Sequence, residues 1–239
     1  MIVADAFHPS TFVDAFRFIG DNGWLIWHKV VEQLGLSGAS LGVAVAVAIP
    51  LGVLLGHVHR GSFLAINVSN VGRALPSLAI IAIFLPVLGI GFWNVLVALV
   101  VLAAPPMLTN AYVAVDQIDR DVVDAARGLG MRERDILSRV ELPLALPLVF
   151  AGVRTAAVYV VSTATLAAIA GGGGLGDIIV NQADYRLDGV IGAAMCVAAL
   201  ALGADLLLGG VERALSPRGV RPAHHLEPDV TTAVAGTGR

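Results

Sequence analysis

The chain has 239 residues, 57% of them hydrophobic and 14% charged, with a net charge of −3 and a mean hydropathy of +0.83. A soluble domain carries nearly twice that charged fraction, so the apolar surplus must face something other than water, which excludes an ordinary cytosolic enzyme. The slight acidity gives no electrostatic case for nucleic acid, and a single cysteine, Cys196, excludes a disulfide-built fold.

A helix needs about 20 apolar residues to cross a bilayer. Residues 1–33 carry Asp5, Asp14, Lys29 and Glu32 and are read as an extracytoplasmic segment; Asp5 and Asp14 precede any basic residue, unlike a cleavable signal peptide. A first span is expected at Leu34–Leu55, ending near His57 and His59, which are read as interface residues because no third metal ligand is in range. Ala74–Val115 is free of charge and too long for one crossing, and Gly89-Ile90-Gly91 divides it into spans near Phe63–Leu88 and Phe92–Val115. A fourth span runs from about Leu146 through the charge-free Thr155–Gly176, and a fifth from Gly189 to Gly210. The expected fold is all-α, a polytopic membrane protein with about five transmembrane helices.

Basic residues fix the expected orientation. With the N-terminus outside, ten arginines fall on the inner side, against Arg17, Lys29 and Arg186 outside. Trp24, Trp27 and Trp93 then lie at the outer interface, and residues 212–239 read as a cytosolic, disordered tail.

Between the third and fourth spans, Asp116–Glu141 holds 12 of the chain's charged residues in 26 positions. Ile118, Val122, Ala125, Ala126 and Leu129 recur at helical spacing, Gly128 and Gly130 interrupt them, and Ile136, Leu137 and Val140 begin a second stripe. The pattern predicts two short amphipathic helices joined by a glycine turn. Such a hairpin either caps the bundle or docks a partner.

The residues of this segment resemble a known pattern. Asp124-Ala125-Ala126, then Gly130, then Val140-x-Leu142-Pro143, is similar to the EAA loop of bacterial ATP-binding-cassette importer permeases, with Asp for Glu and Val for Ile. The resemblance implies a type I importer permease fold over residues 34–211. It also implies a coupling loop at 116–143, in which Asp124, Ala125, Ala126, Gly130, Val140, Leu142 and Pro143 meet a separate ATPase. The only lysine, Lys29, follows Trp27 and His28 rather than a glycine-rich turn, so the chain has no P-loop of its own. ATP and Mg would therefore sit on that partner, with no cofactor or metal on this chain. One loop per chain implies a second permease chain, identical or a similar sister, and importers of this kind use an extracytoplasmic binding protein in a bacterial inner membrane.

Arg73-Ala74-Leu75-Pro76-Ser77-Leu78-Ala79, Leu85–Gly91 and Ala164-Thr165-Leu166-Ala167-Ala168 leading into Gly171–Asp177 are similar to permeases of glycine betaine, carnitine and choline importers. Methionine-type permeases share several of these features and stand as the alternative, followed by a secondary transporter needing no ATPase. The resemblance suggests Pro76, Ser77, Asn110, Gly173, Gly174 and Asp177 as translocation-path residues. By their chemistry, Ser77 and Asn110 serve equally as inter-helix hydrogen-bonding groups, and the glycine run is either a path-lining irregular segment or an outer loop. The G-x-G-x-x-G match at Gly171, Gly173 and Gly176 lacks the preceding strand of a dinucleotide fold. Arg73 and Arg154 are deep intramembrane charges that require counter-ions, and Asp205 matches one of them in depth.

Overall fold

The computed structural model describes residues 9–59, 67, 72 and 76–215. Among them there is no strand. Helix α1 (Pro9–Asp21) starts on a proline, whose missing N–H costs nothing in a first turn. It is followed by α2 (Gly23–His57), α3 (Ser77–Leu88) and α4 (Phe92–Asp116). The charged segment forms α5 (Arg120–Gly128) and α6 (Glu133–Ile136), which a π turn (Leu137–Glu141) joins to α7 (Leu142–Thr163). A 3₁₀ segment (Ala164–Ala170), α8 (Gly176–Val180) and α9 (Gln182–Leu215) complete the order.

Among the described residues, four helical stretches are long and apolar enough to cross a membrane: Gly23–His57, Phe92–Asp116, Glu133–Ala170 and Gln182–Leu215. The apolar α3 is shorter, and most of the expected Phe63–Leu88 span, with Arg73, lies outside the described residues. Helix α4 is the centre of the bundle. Val95, Ala98, Leu99, Leu102, Ala103 and Met107 repeat every three to four positions and are buried against Leu36, Ala44 and Ala48 of α2 and Ala156 and Val160 of α7. Helix α9 packs on α7, and α1 packs on α9 with Phe18 edge-on to Tyr185.

Small residues let the backbones approach. A Cβ at Gly152 of α7 would meet Asn110 Cβ of α4 at 2.7 Å. Pro50, Pro86, Pro105, Pro106 and Pro147 all stay inside helices.

Several boundaries differ from those expected. The first span begins at Gly23, not Leu34, because Lys29, Glu32 and Gln33 are held by partners on the glycine-rich segment and do not end the helix. The fourth starts at Leu142 and leaves α geometry at Thr163, running on as a 3₁₀ segment to Ala170. The fifth reaches Leu215, so Glu212 belongs to α9, while residues 216–239 of the expected tail lie outside the described residues.

Candidate functional site

The charged hairpin is built from its capping chemistry. Asp119 caps α5, its side chain accepting from the Asp121 N–H at 3.0 Å. At the other end Gly130 takes φ +81, the left-handed conformation that a side chain disfavours. Its N–H donates to Arg127 O at 2.9 Å and the Met131 N–H donates to Ala126 O at 3.2 Å. Those two bonds are the Schellman closure of a helix, with Gly130 at the residue just past the cap. The spacing from Asp124-Ala125-Ala126 to Gly130 is thus the length needed for one terminal turn to close on itself.

The single apolar stripe expected on this helix divides into two faces. Val123 and Ala126 turn inward with Ile136, and Ile118, Met131 and Val140 pack around them. Val122, Ala125 and Leu129 turn outward, Leu129 being 84% exposed. The correction comes from where α6 lies: it covers the Val123–Ala126 side and leaves the other bare. That leaves an exposed apolar face, Val122, Ala125 and Leu129, on a charged hairpin.

A chain of charges ties this hairpin to the bundle. Arg127 bonds Asp124 Oδ1 through Nη1 at 3.1 Å and both oxygens of Glu133, at 2.8 and 3.2 Å. That forked bond holds the Glu133 carboxyl below the usual carboxylate range. Glu133 stands 3.6 Å from His57 Nε2 at the end of α2. His57 Nδ1 donates to Glu141 Oε2 at 2.6 Å, and a carboxylate, which only accepts, requires the proton on that nitrogen. Glu141 is only 2% exposed. The π turn that carries it adds a residue to the helical repeat and so rotates the phase of α7 relative to α6. His57 thus links the hairpin to α2, a role the sequence reading did not assign, while Val140, Leu142 and Pro143 lie where the π turn passes into α7.

The glycine segment is clamped at the opposite end of α2. Glu32 Oε2 accepts from the Gly174 N–H at 2.9 Å, and Gln33 accepts from the Leu175 N–H at 3.0 Å while donating to Val161 O at 2.9 Å. Lys29 Nζ bridges Glu32 Oε2 at 2.9 Å and Asp177 Oδ2 at 2.7 Å. Gly174 sits at φ +88, and a Cβ there would lie 2.8 Å from Gln33 Oε1. Gly173, Gly174 and Asp177 are therefore brought together, by three α2 residues that the sequence reading left in the outer segment. The i, i+3 spacing of Lys29 and Glu32 was the available signal.

The remaining site candidates scatter. Pro76 caps α3, with Ser77 as its first residue. Asn110 donates to Pro106 O within its own helix at 2.7 Å and faces Gly152, so in this conformation it is a packing residue between α4 and α7. Arg154 meets Asp205, with Nε and Nη2 each 3.0 Å from its carboxylate oxygens, and Nη1 reaches Glu212 at 3.1 Å. Glu212 was missed, although Asp205, Gly209 and Glu212 share one face at i, i+4 and i+7. Among the described residues no group of His, Cys, Asp and Glu could hold a metal ion.

Residues 48–217 match the family described as the binding-protein-dependent transport system inner membrane component. The chain is 37% identical over 206 residues to a choline transport system permease protein of Bacillus subtilis (strain 168), covering 86% of this chain and 95% of that protein. It is 36% identical to a carnitine transport permease protein of Listeria monocytogenes, over 86% and 95% of the two chains. An osmoprotectant import permease protein of Salmonella typhimurium (strain LT2) is 31% identical, over 87% and 100%. Among solved structures, the MetNI methionine ABC transporter in an inward-facing conformation superposes with a TM-score of 0.72 at 23% identity, covering 81% of this chain and 97% of that one. At that identity the likeness shows the fold, which is that of an ABC importer permease.

Proposed function

The chain belongs to the binding-protein-dependent transport system inner membrane component family, and on that premise we propose that it is the permease subunit of an ATP-driven importer of quaternary-amine osmoprotectants. The observation that carries the coupling half of this reading is the outward apolar face of the hairpin, Val122, Ala125 and Leu129, held rigid by the Gly130 closure. That face docks on a separate ATPase, which binds the ATP and Mg. This chain hydrolyses nothing; it moves. When the ATPase subunits close, the hairpin is displaced, and Glu133, His57 and Glu141 pass the displacement to α2. The clamp of Lys29, Glu32 and Gln33 carries it on to the glycine segment at the far end of the same helix.

Two permease chains form the membrane core, as a homodimer or with a sister chain, surrounded by lipid and served by an extracytoplasmic binding protein. The arginine bias places the N-terminus outside and the C-terminus in the cytosol. The substrate class rests on the relatives, whose names specify choline, carnitine and osmoprotectants. The test is ATP hydrolysis by the reconstituted permease–ATPase complex with binding protein loaded with choline, glycine betaine, carnitine or methionine. Stimulation by amine-loaded protein is expected. Stimulation by methionine-loaded protein alone overturns the substrate class and leaves an importer.

A further inference from the structure

Helix α7 is apolar, yet Thr155, Tyr159 and Ser162 recur at i, i+4 and i+7 on an exposed face. Polar side chains on a spanning helix avoid lipid and turn toward protein or water. Beside them opens a cavity of about 520 Å³ lined by Ala151, Arg154, Thr155, Val158, Tyr159 and Asp205. An arginine in a substrate path would repel a cation, but here it does not stand alone. Its fork is occupied by Asp205 and its remaining side by Glu212. The guanidinium lies against the α9 backbone at Gly209, where a Cβ would come within 3.2 Å of its Cζ. Two carboxylates against one guanidinium leave the cluster with a net charge of −1, so the cavity attracts cations and disfavours anions.

Tyr159 is 44% exposed at this cavity. A quaternary ammonium cannot donate a hydrogen bond, and an aromatic face beside net negative charge is the surroundings that hold it. Resting on the reading of the chain as an amine permease, we propose that this cavity is the solute's contact site within the permease, with Tyr159 as its cation–π face, Arg154 and Asp205 in its wall, and Glu212 behind Arg154 tipping the cluster to net negative charge. One ring makes a weak site, as a transport step requires: the solute must leave it.

The test uses the purified permease–ATPase complex without binding protein, titrated with choline and with 3,3-dimethylbutan-1-ol, its neutral isostere, by ligand-observed NMR. Choline should bind in the millimolar range and the neutral isostere at least ten-fold more weakly. Tyr159→Phe should keep choline binding, whereas Tyr159→Leu should weaken it about two- to thirty-fold while the complex keeps its size on gel filtration. Unchanged choline binding in Tyr159→Leu, or no choline binding by the parent complex, overturns the proposal even where amine-loaded binding protein stimulates ATP hydrolysis. Dissociation of the permease pair in Tyr159→Leu overturns it too, assigning the stripe to an interface. If no amine-loaded protein stimulates the parent complex, the substrate class itself has failed.

Discussion

Replacing Gly130 separates backbone conformation from side-chain crowding at the hairpin turn. A Cβ at Gly130 would meet nothing within 4 Å, so any penalty comes from φ +81 alone. For an L-residue the left-handed region costs about 1–2 kcal/mol, and a β-branched side chain stands at the upper end or beyond. A penalty of that size is a factor of about 5–30 in an equilibrium. If docking needs the closed turn, the apparent affinity for the ATPase falls by the fraction of hairpin that opens. Gly130→Ala should then weaken ATPase binding by up to that factor, and Gly130→Val should strip the ATPase from the purified complex, with membrane insertion intact. Gly128 supplies the control: it is equally uncrowded but helical, so Gly128→Ala should leave binding unchanged or slightly improved. The assay is ATPase affinity for detergent-solubilised permease, together with the amount retained through purification. Equal effects of Gly128→Ala and Gly130→Ala, or full ATPase retention in Gly130→Val, would refute the argument that this turn presents the docking face.

Further outcomes are expected at the two ends of α2 and from the arginine bias. His57→Ala leaves the buried Glu141 carboxylate without its charge-assisted bond, at a cost of about 1.5–3 kcal/mol. The unfolding temperature should drop and ATP hydrolysis should uncouple from uptake, with His57→Ala/Glu141→Gln recovering part of the stability but not the coupling; restored coupling in the double variant counts against the link. Gly174→Ala must accept φ +88 and crowd Gln33, a combined cost of about 2–3 kcal/mol from the backbone and one lost hydrogen bond. Its unfolding temperature should fall well below that of Gly203→Ala, a helical and uncrowded position, and equal temperatures would contradict the clamp. In a Cys196→Ala background, an impermeant thiol reagent should label a cysteine at position 10 and not one at position 231, and the opposite pattern would put the hairpin on the wrong face of the membrane.

Much of this molecule was legible without coordinates, for a physical reason. Bilayer thickness demands long charge-free runs, so Phe92–Asp116 emerged almost as expected, and the surplus of apolar residues excluded a soluble fold. The hairpin was readable because helix closure is local: the residues from Asp124 to Gly130 specify their own terminal turn through bonds that span five positions. Apart from Asp205, which matched one of the deep arginines by depth and is found on Arg154, the choice between faces and between partners far apart in the chain could not be read. Val122 and Val123 are adjacent and chemically alike, and only the position of α6 decides that one is exposed and the other buried. Lys29 and Asp177, His57 and Glu141, and Arg154 and Glu212 are joined because helices distant in sequence bring them within hydrogen-bonding distance. Those pairings also moved the boundaries, since a charge held by a partner no longer ends a helix. Side-chain type set which residues needed a partner, and, beyond the depth match of Arg154 with Asp205, tertiary packing determined which partner each one found.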